Sequence, residues 1–201
     1  MRCKMRDFNF KASAAKLLTN DIVNLLGYIH EYKGQQNLFV EAKADILSHL
    51  LEIAKIQSTE ASNRIEGIST SNERIKALVK EKSTPCNRNE NEIAGYRDVL
   101  ATIHENYDYI PPRSNVILQL HRDLYQYSGI GIGGHFKNTD NVIEEVLEDG
   151  TKHVRFRPAS AFETPVMIET LCNQFMHEVD CGEVDPLLLI PMYVVDFLCI
   201  H

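Results

Sequence analysis

From Leu187 to Ile200 every side chain is apolar or aromatic except the single charged residue Asp196. Asp185 followed by Pro186 marks a helix start, because a carboxylate accepts the unpaired amide hydrogens of the first turn and proline lacks one such donor. A helix that is apolar around its whole circumference needs protein on every side. It falls short of the roughly 20 apolar residues that cross a bilayer. The stretch therefore predicts the central helix of a soluble domain, with other helices arranged around it. His201 follows it directly. A histidine after an apolar run reads first as a cap or packing residue, with catalysis as the alternative.

The rest of the chain has enough material for such a core. Its 201 residues are 44% hydrophobic, which suits one or two domains. A net charge of -7 gives no cationic field for nucleic acid or an anionic membrane, so neither is expected as a partner. Cys3, Cys86, Cys172, Cys181 and Cys199 are odd in number and lack C-x-x-C spacing. Neither a disulfide framework nor a zinc site is indicated, and a cytoplasmic location is the simplest expectation. The eight histidines include no H-E-x-x-H pattern, and no metal site is expected.

Taken in order, the opening through Lys11 shows no period and reads as an extended arm. Leu17, Leu18, Ile22, Leu25, Leu26 and Ile29 fall at helical intervals, predicting a helix over 13–32 that Lys33-Gly34 ends. A longer helix is expected from about Asn37 to Glu66, stopped by Gly67. Asn72 to Lys80 is a short helix, and the polar stretch Glu81 to Asn89 a loop. Helices follow over Glu90 to Asn106, after Ser114, and over Glu163 to Val179. Between them, the glycine run Gly129 to Gly134 superficially resembles a phosphate loop, but no strand precedes it; it reads as a flexible connector. Asn141–Leu147 and Lys152–Arg157 flank Asp149-Gly150, the strongest short-range hairpin signal in the chain. A two-stranded hairpin leaves edges that can accept a strand from another polypeptide; an ornamental surface loop is the competing reading.

Ser62 and Glu66 lie four apart and share a helix face. Glu66 also sits in a last turn, where the helix dipole disfavours a carboxylate. At these residues a resemblance emerges. Phe197-Leu198-Cys199-Ile200-His201 resembles the start of the signature of the Fic (Fic/Doc) family, whose motif H-P-F-x-[DE]-G-N-G-R follows an apolar helix. Ser62-Asn63-Arg64-Ile65-Glu66-Gly67 is similar to the family's inhibitory motif [ST]-x-x-x-E-[GN]. The hairpin occupies the place of the target-binding flap, and the segments Glu92–Tyr96 and Leu120–Leu124 look typical of the family.

The resemblance implies a mainly α fold, a Fic-like helical bundle with one β-hairpin flap. Residues 1–85 would form an N-terminal helical lobe with the inhibitory motif, and 86–201 a Fic-like core. It implies transfer of AMP from ATP to a hydroxyl of a target protein, with His201 as the base and Ser62, Glu66 and Gly67 as the inhibitory element. The target would dock on a flap including Val142, Ile143, Val154, Arg155 and Phe156. ATP and magnesium are the family's cofactors. Here the motif stops at His201, without the phosphate-binding turn, the metal carboxylate or the arginine partner of Glu66. The expectation is a chain cut inside the motif, or part of a longer protein, that binds ATP and magnesium poorly and does not turn over by itself. An apolar patch on the last helix, with self-association, is expected to follow. The alternative function is a non-catalytic interaction or regulatory module that retains the flap.

Overall fold

The computed structural model describes residues 8–42, 44–129, 131 and 133–200. Among them are eight α-helices and one two-stranded sheet: α1 (Phe10–Leu17), α2 (Asn20–Ala42), α3 (Ala44–Ile65), α4 (Asn72–Lys80), α5 (Arg88–Asn106), α6 (Ser114–Leu124), β1 (Ile143–Val146), β2 (Lys152–Phe156), α7 (Thr164–Cys181) and α8 (Pro186–Ile200). The mainly helical class with a single hairpin stands as the sequence predicts. The chain divides into two compact units, one drawn from the described parts of Met1–Leu26, Pro111–Val116 and Phe136–His201, the other from Gly27–Ile110 and Ile117–His135.

In the first unit, α7 and α8 pack against each other and α1 packs against both. Aromatic rings form the contact: Phe10 meets Phe175 edge-on at 6.4 Å, and Phe175 lies 4.6 Å from Tyr193. Such offset and edge contacts suit the ring quadrupole. Met167, Ile168, Leu171, Leu189 and Ile200 complete the buried layer. The Cys172 thiol lies 3.7 Å from the Tyr193 hydroxyl, and burial pushes both groups' pKa upward.

Three sequence expectations are corrected here. The opening is not an extended arm in its described part: Asn9 caps α1 by accepting from the Ala12 amide, and Phe8 and Phe10 are buried. Its first seven residues lie outside the described residues. The helix expected over 13–32 is interrupted, because Thr19 caps a new start, its hydroxyl accepting from Ile22 and its carbonyl from Val23. Past that point α2 runs straight through Gly34, whose helix penalty of about 1 kcal/mol is too small to stop it. Finally, among the described residues α8 is not surrounded. Asp185 does start it, accepting from the Leu187 amide, but α1 and α7 cover one side. Ile190, Val194, Val195 and Leu198 remain 45–62% exposed, on the same stripe as Leu187 and Pro191. The expected apolar patch on the last helix is therefore present.

In the second unit, α3, α4 and α5 enclose Ile75, Leu78 and Ile93, with Ile56, Ile68 and Val79 against them. Two polar clusters fasten the helices. Glu90, 3% exposed, accepts two bonds from Arg74 (2.9 and 2.6 Å), one from the Cys86 amide and one from Thr70. The Arg74 guanidinium holds the Glu90 carboxyl down at about 2. Arg97, also buried, donates to the Leu78 carbonyl at 2.6 Å and to Asp98, whose other oxygen accepts from the Tyr127 hydroxyl. The glycines serve close approach. A Cβ on Gly95 would stand 2.8 Å from the Leu124 carbonyl carbon and closer still to its oxygen, and one on Gly133 would stand 2.5 Å from the His121 oxygen.

Candidate functional site

The segment Ser62 to Gly67 ends α3 in a Schellman turn. The amide of Ile68 donates to the Asn63 carbonyl and that of Gly67 to the Arg64 carbonyl, with Gly67 at φ +76°. Only glycine adopts that conformation without strain, so Gly67 is explained by the helix stop alone. Glu66 is the C-cap residue and is exposed. Ser62, one turn back, is half-buried, and its Oγ accepts from the Tyr96 hydroxyl of α5 at 3.0 Å. That bond fixes the rotation of the last turn of α3 against α5. Tyr96 was within a family-like segment of the sequence, but nothing in its spacing pointed to Ser62.

The glycine run after α6 is more constrained than a flexible connector. Ile130 and Ile132 lie outside the described residues, but Gly133 and Gly134 sit against the backbone and Arg122 of α6, and the Gly134 amide donates to His121 Nδ1 at 3.2 Å. Accepting there places the neutral imidazole's proton on Nε2. The run thus closes on the end of a helix, whereas a phosphate cradle opens at a helix start.

In the other unit, β1 and β2 pair antiparallel, with Ile143 opposite Phe156, Glu144 opposite Val154 and Val146 opposite Lys152, and an irregularity between Ile143 and Glu144. The turn closes through Leu147 and Thr151, whose amide and hydroxyl both donate to Asp149. No third strand joins the sheet among the described residues. Val142 and Ile143 are exposed, as is Arg155, which pairs across the strands with Glu145 at 3.2 Å; Val154 and Phe156 are half-buried. Lys137 ties the foot of this hairpin to the end of α8. Its ammonium donates to the Asn141 side chain and to the Ile200 carbonyl, both at 2.9 Å. A cation there also complements the negative end of the α8 dipole. Sequence pattern gave no hint of this lysine.

His201 lies outside the described residues, directly after Ile200, which is fully buried. Among the described residues no group of three or more His, Cys, Asp or Glu side chains could hold a metal, and no helix is long and apolar enough to cross a membrane.

No protein-family model and no curated protein matches the chain. A crystal structure of a Fic domain-containing signaling protein from Bacteroides thetaiotaomicron superposes with a TM-score of 0.59 at 22% identity, over 71% of this chain and 53% of that one. The chain thus spans about half the length of the structure it matches. At that identity the likeness is one of backbone, and it establishes a Fic-like helical fold with a two-stranded hairpin.

Proposed function

We propose that this chain is the N-terminal portion of an autoinhibited protein AMP-transferase, which moves AMP from ATP to a hydroxyl of a target protein. The reading rests on one observation above the others. Lys137 holds the foot of the hairpin and the last carbonyl of α8 on a single ammonium, so a target strand lying on the flap would bring its hydroxyl toward the residue that follows Ile200. His201 is the base in this proposal, since imidazole titrates near neutrality and can take the hydroxyl proton. Ser62, Glu66 and Gly67 are the inhibitory element, with Tyr96 holding Ser62.

The test is incorporation of label from α-phosphate-labelled ATP with magnesium, using the protein as encoded. Glu66→Gly is expected to raise labelling of the protein or a target at least tenfold, and His201→Ala to abolish it. No labelling from either the parent or Glu66→Gly would reject the transferase and leave the non-catalytic interaction module, whose hairpin edges and exposed α8 stripe would then be its working surfaces.

A further inference from the structure

The turn bearing Glu66 is fastened to α5 from both sides. Four residues before it, the Ser62 hydroxyl accepts from Tyr96. Three and four residues after it, the Ser69 carbonyl accepts from the Asn89 side chain at 3.0 Å, and the Thr70 hydroxyl donates to Glu90 at 3.2 Å. Asn89 and Tyr96 stand seven residues apart, which places them on one face of α5 about two turns from each other. Glu90 is a firm anchor, because Arg74 keeps it ionised and a charged acceptor makes a stronger bond to a hydroxyl than a neutral one. All of these residues belong to one compact unit.

The two sides are not equivalent. Ser62 lies within α3, so it leaves α5 only if the hydrogen-bond ladder of that helix opens or the whole helix moves. Ser69 and Thr70 lie between α3 and α4, outside both ladders, and the core beneath them is closed by Ile68 and Ile75 rather than by these polar contacts. The bonds to Asn89 and Glu90 can therefore break while helices and core stay intact. We propose that the Asn89–Ser69 and Thr70–Glu90 bonds latch the turn bearing Glu66 in its inhibitory place, and that opening this latch is what relieves the inhibition. The inference rests on the autoinhibited reading given above. Thr70 and Asn89 act through Glu66 and are positioning residues; the sequence pattern singles out neither.

The test uses the protein as encoded, with α-phosphate-labelled ATP and magnesium. Thr70→Val keeps the shape of the side chain and removes its donor; it is expected to raise labelling about fivefold, the factor that one hydrogen bond contributes to an equilibrium. Asn89→Ala is expected to do the same, Thr70→Ser to behave as the parent, and Thr70→Val to add nothing to Glu66→Gly. Thr102→Val is the structural control: it also loses a hydroxyl bond, to the Asp98 carbonyl at 2.9 Å within α5, and is expected to leave labelling unchanged. Hydrogen exchange reads the latch without turnover, since the Gly67 and Ile68 amides, which close the turn onto Arg64 and Asn63, are expected to exchange faster in Thr70→Val. Unchanged labelling in Thr70→Val and Asn89→Ala beside a rise in Glu66→Gly would overturn the latch and leave autoinhibition standing. So would an equal rise in Thr102→Val, a further rise when Thr70→Val is added to Glu66→Gly, or unchanged exchange at Gly67 and Ile68. No labelling from any form, Glu66→Gly included, would reject the transferase reading and this inference with it.

Discussion

Substituting Gly95 by alanine should destabilise the protein, against the ordinary rule for a helix interior. In an exposed helix, glycine to alanine gains about 1 kcal/mol from backbone entropy. At Gly95 the added methyl would meet the main chain at the end of α6, 2.8 Å from the Leu124 carbonyl carbon. Carbon atoms pack comfortably at about 3.5–4.0 Å, so the end of α6 would have to retreat by roughly 1 Å. Main chain cannot rotate aside as a side chain can, which puts the overpacking cost near the upper end of the usual range, about 3 kcal/mol. The net expectation is a loss of about 2 kcal/mol. For a chain of this length that lowers the thermal midpoint by about 4–8 °C. Gly27→Ala is the matched control, because its Cβ would have nothing within 4 Å and should stabilise by up to about 1 kcal/mol. Thermal melts followed by circular dichroism compare the two. A Gly95→Ala protein as stable as the parent would refute the close approach of α5 and α6.

Two further substitutions probe the polar contacts. Glu90→Gln should cost about 2–3 kcal/mol by removing the charge that Arg74 pairs with. Because the Glu90 carboxyl is lowered from 4.5 to about 2 in the folded state, its stabilisation is fully present above about pH 4.5 and lost as pH falls through about 2. Urea midpoints should therefore differ most between parent and variant near neutrality and converge in acid; a gap that persists unchanged at pH 2 would contradict the pairing. Tyr96→Phe removes the bond to Ser62 and should cost about 1 kcal/mol. Under the proposed function it also raises AMP labelling, by less than Glu66→Gly does; unchanged labelling beside a Glu66→Gly increase would exclude Tyr96 from inhibition.

The features legible in the sequence were those set by local chemistry. Asp149-Gly150 between β-branched runs announced the hairpin, Asp185-Pro186 announced α8, and Gly67 announced the end of α3, since each acts on backbone dihedrals or caps within a few residues. What the sequence did not disclose depends on partners far along the chain. Lys137 is one charged residue among many until Ile200 and Asn141 are placed beside it, 63 and four residues away. Gly95 is one glycine in a helix until Leu124 is placed against it. The extent of α8 burial failed for a related reason: an all-apolar sequence reports a need for cover, and only the packing of α1 and α7 reports how much cover this chain supplies.

The inhibitory motif is the part of the functional reading where local and distant information must be separated. Of its three named residues, Gly67 carries no weight for function, because a Schellman turn demands glycine there whatever the protein does. Glu66 carries little, because it is exposed and water screens the unfavourable interaction of a carboxylate with the dipole at a helix C-terminus. Ser62 is explained by packing against α5, and its bearing on function is indirect. A serine in the last turn of a helix gains nothing from intrinsic propensity, yet here its hydroxyl accepts from Tyr96, thirty-four residues on in sequence. That bond ties the rotation of the turn bearing Glu66 to the position of α5, and Gly95, next to Tyr96, ties α5 to the end of α6. The turn that carries Glu66 is thus held by contacts through α5 and α6, and under the proposed function disturbing either link should change the labelling that Glu66→Gly changes.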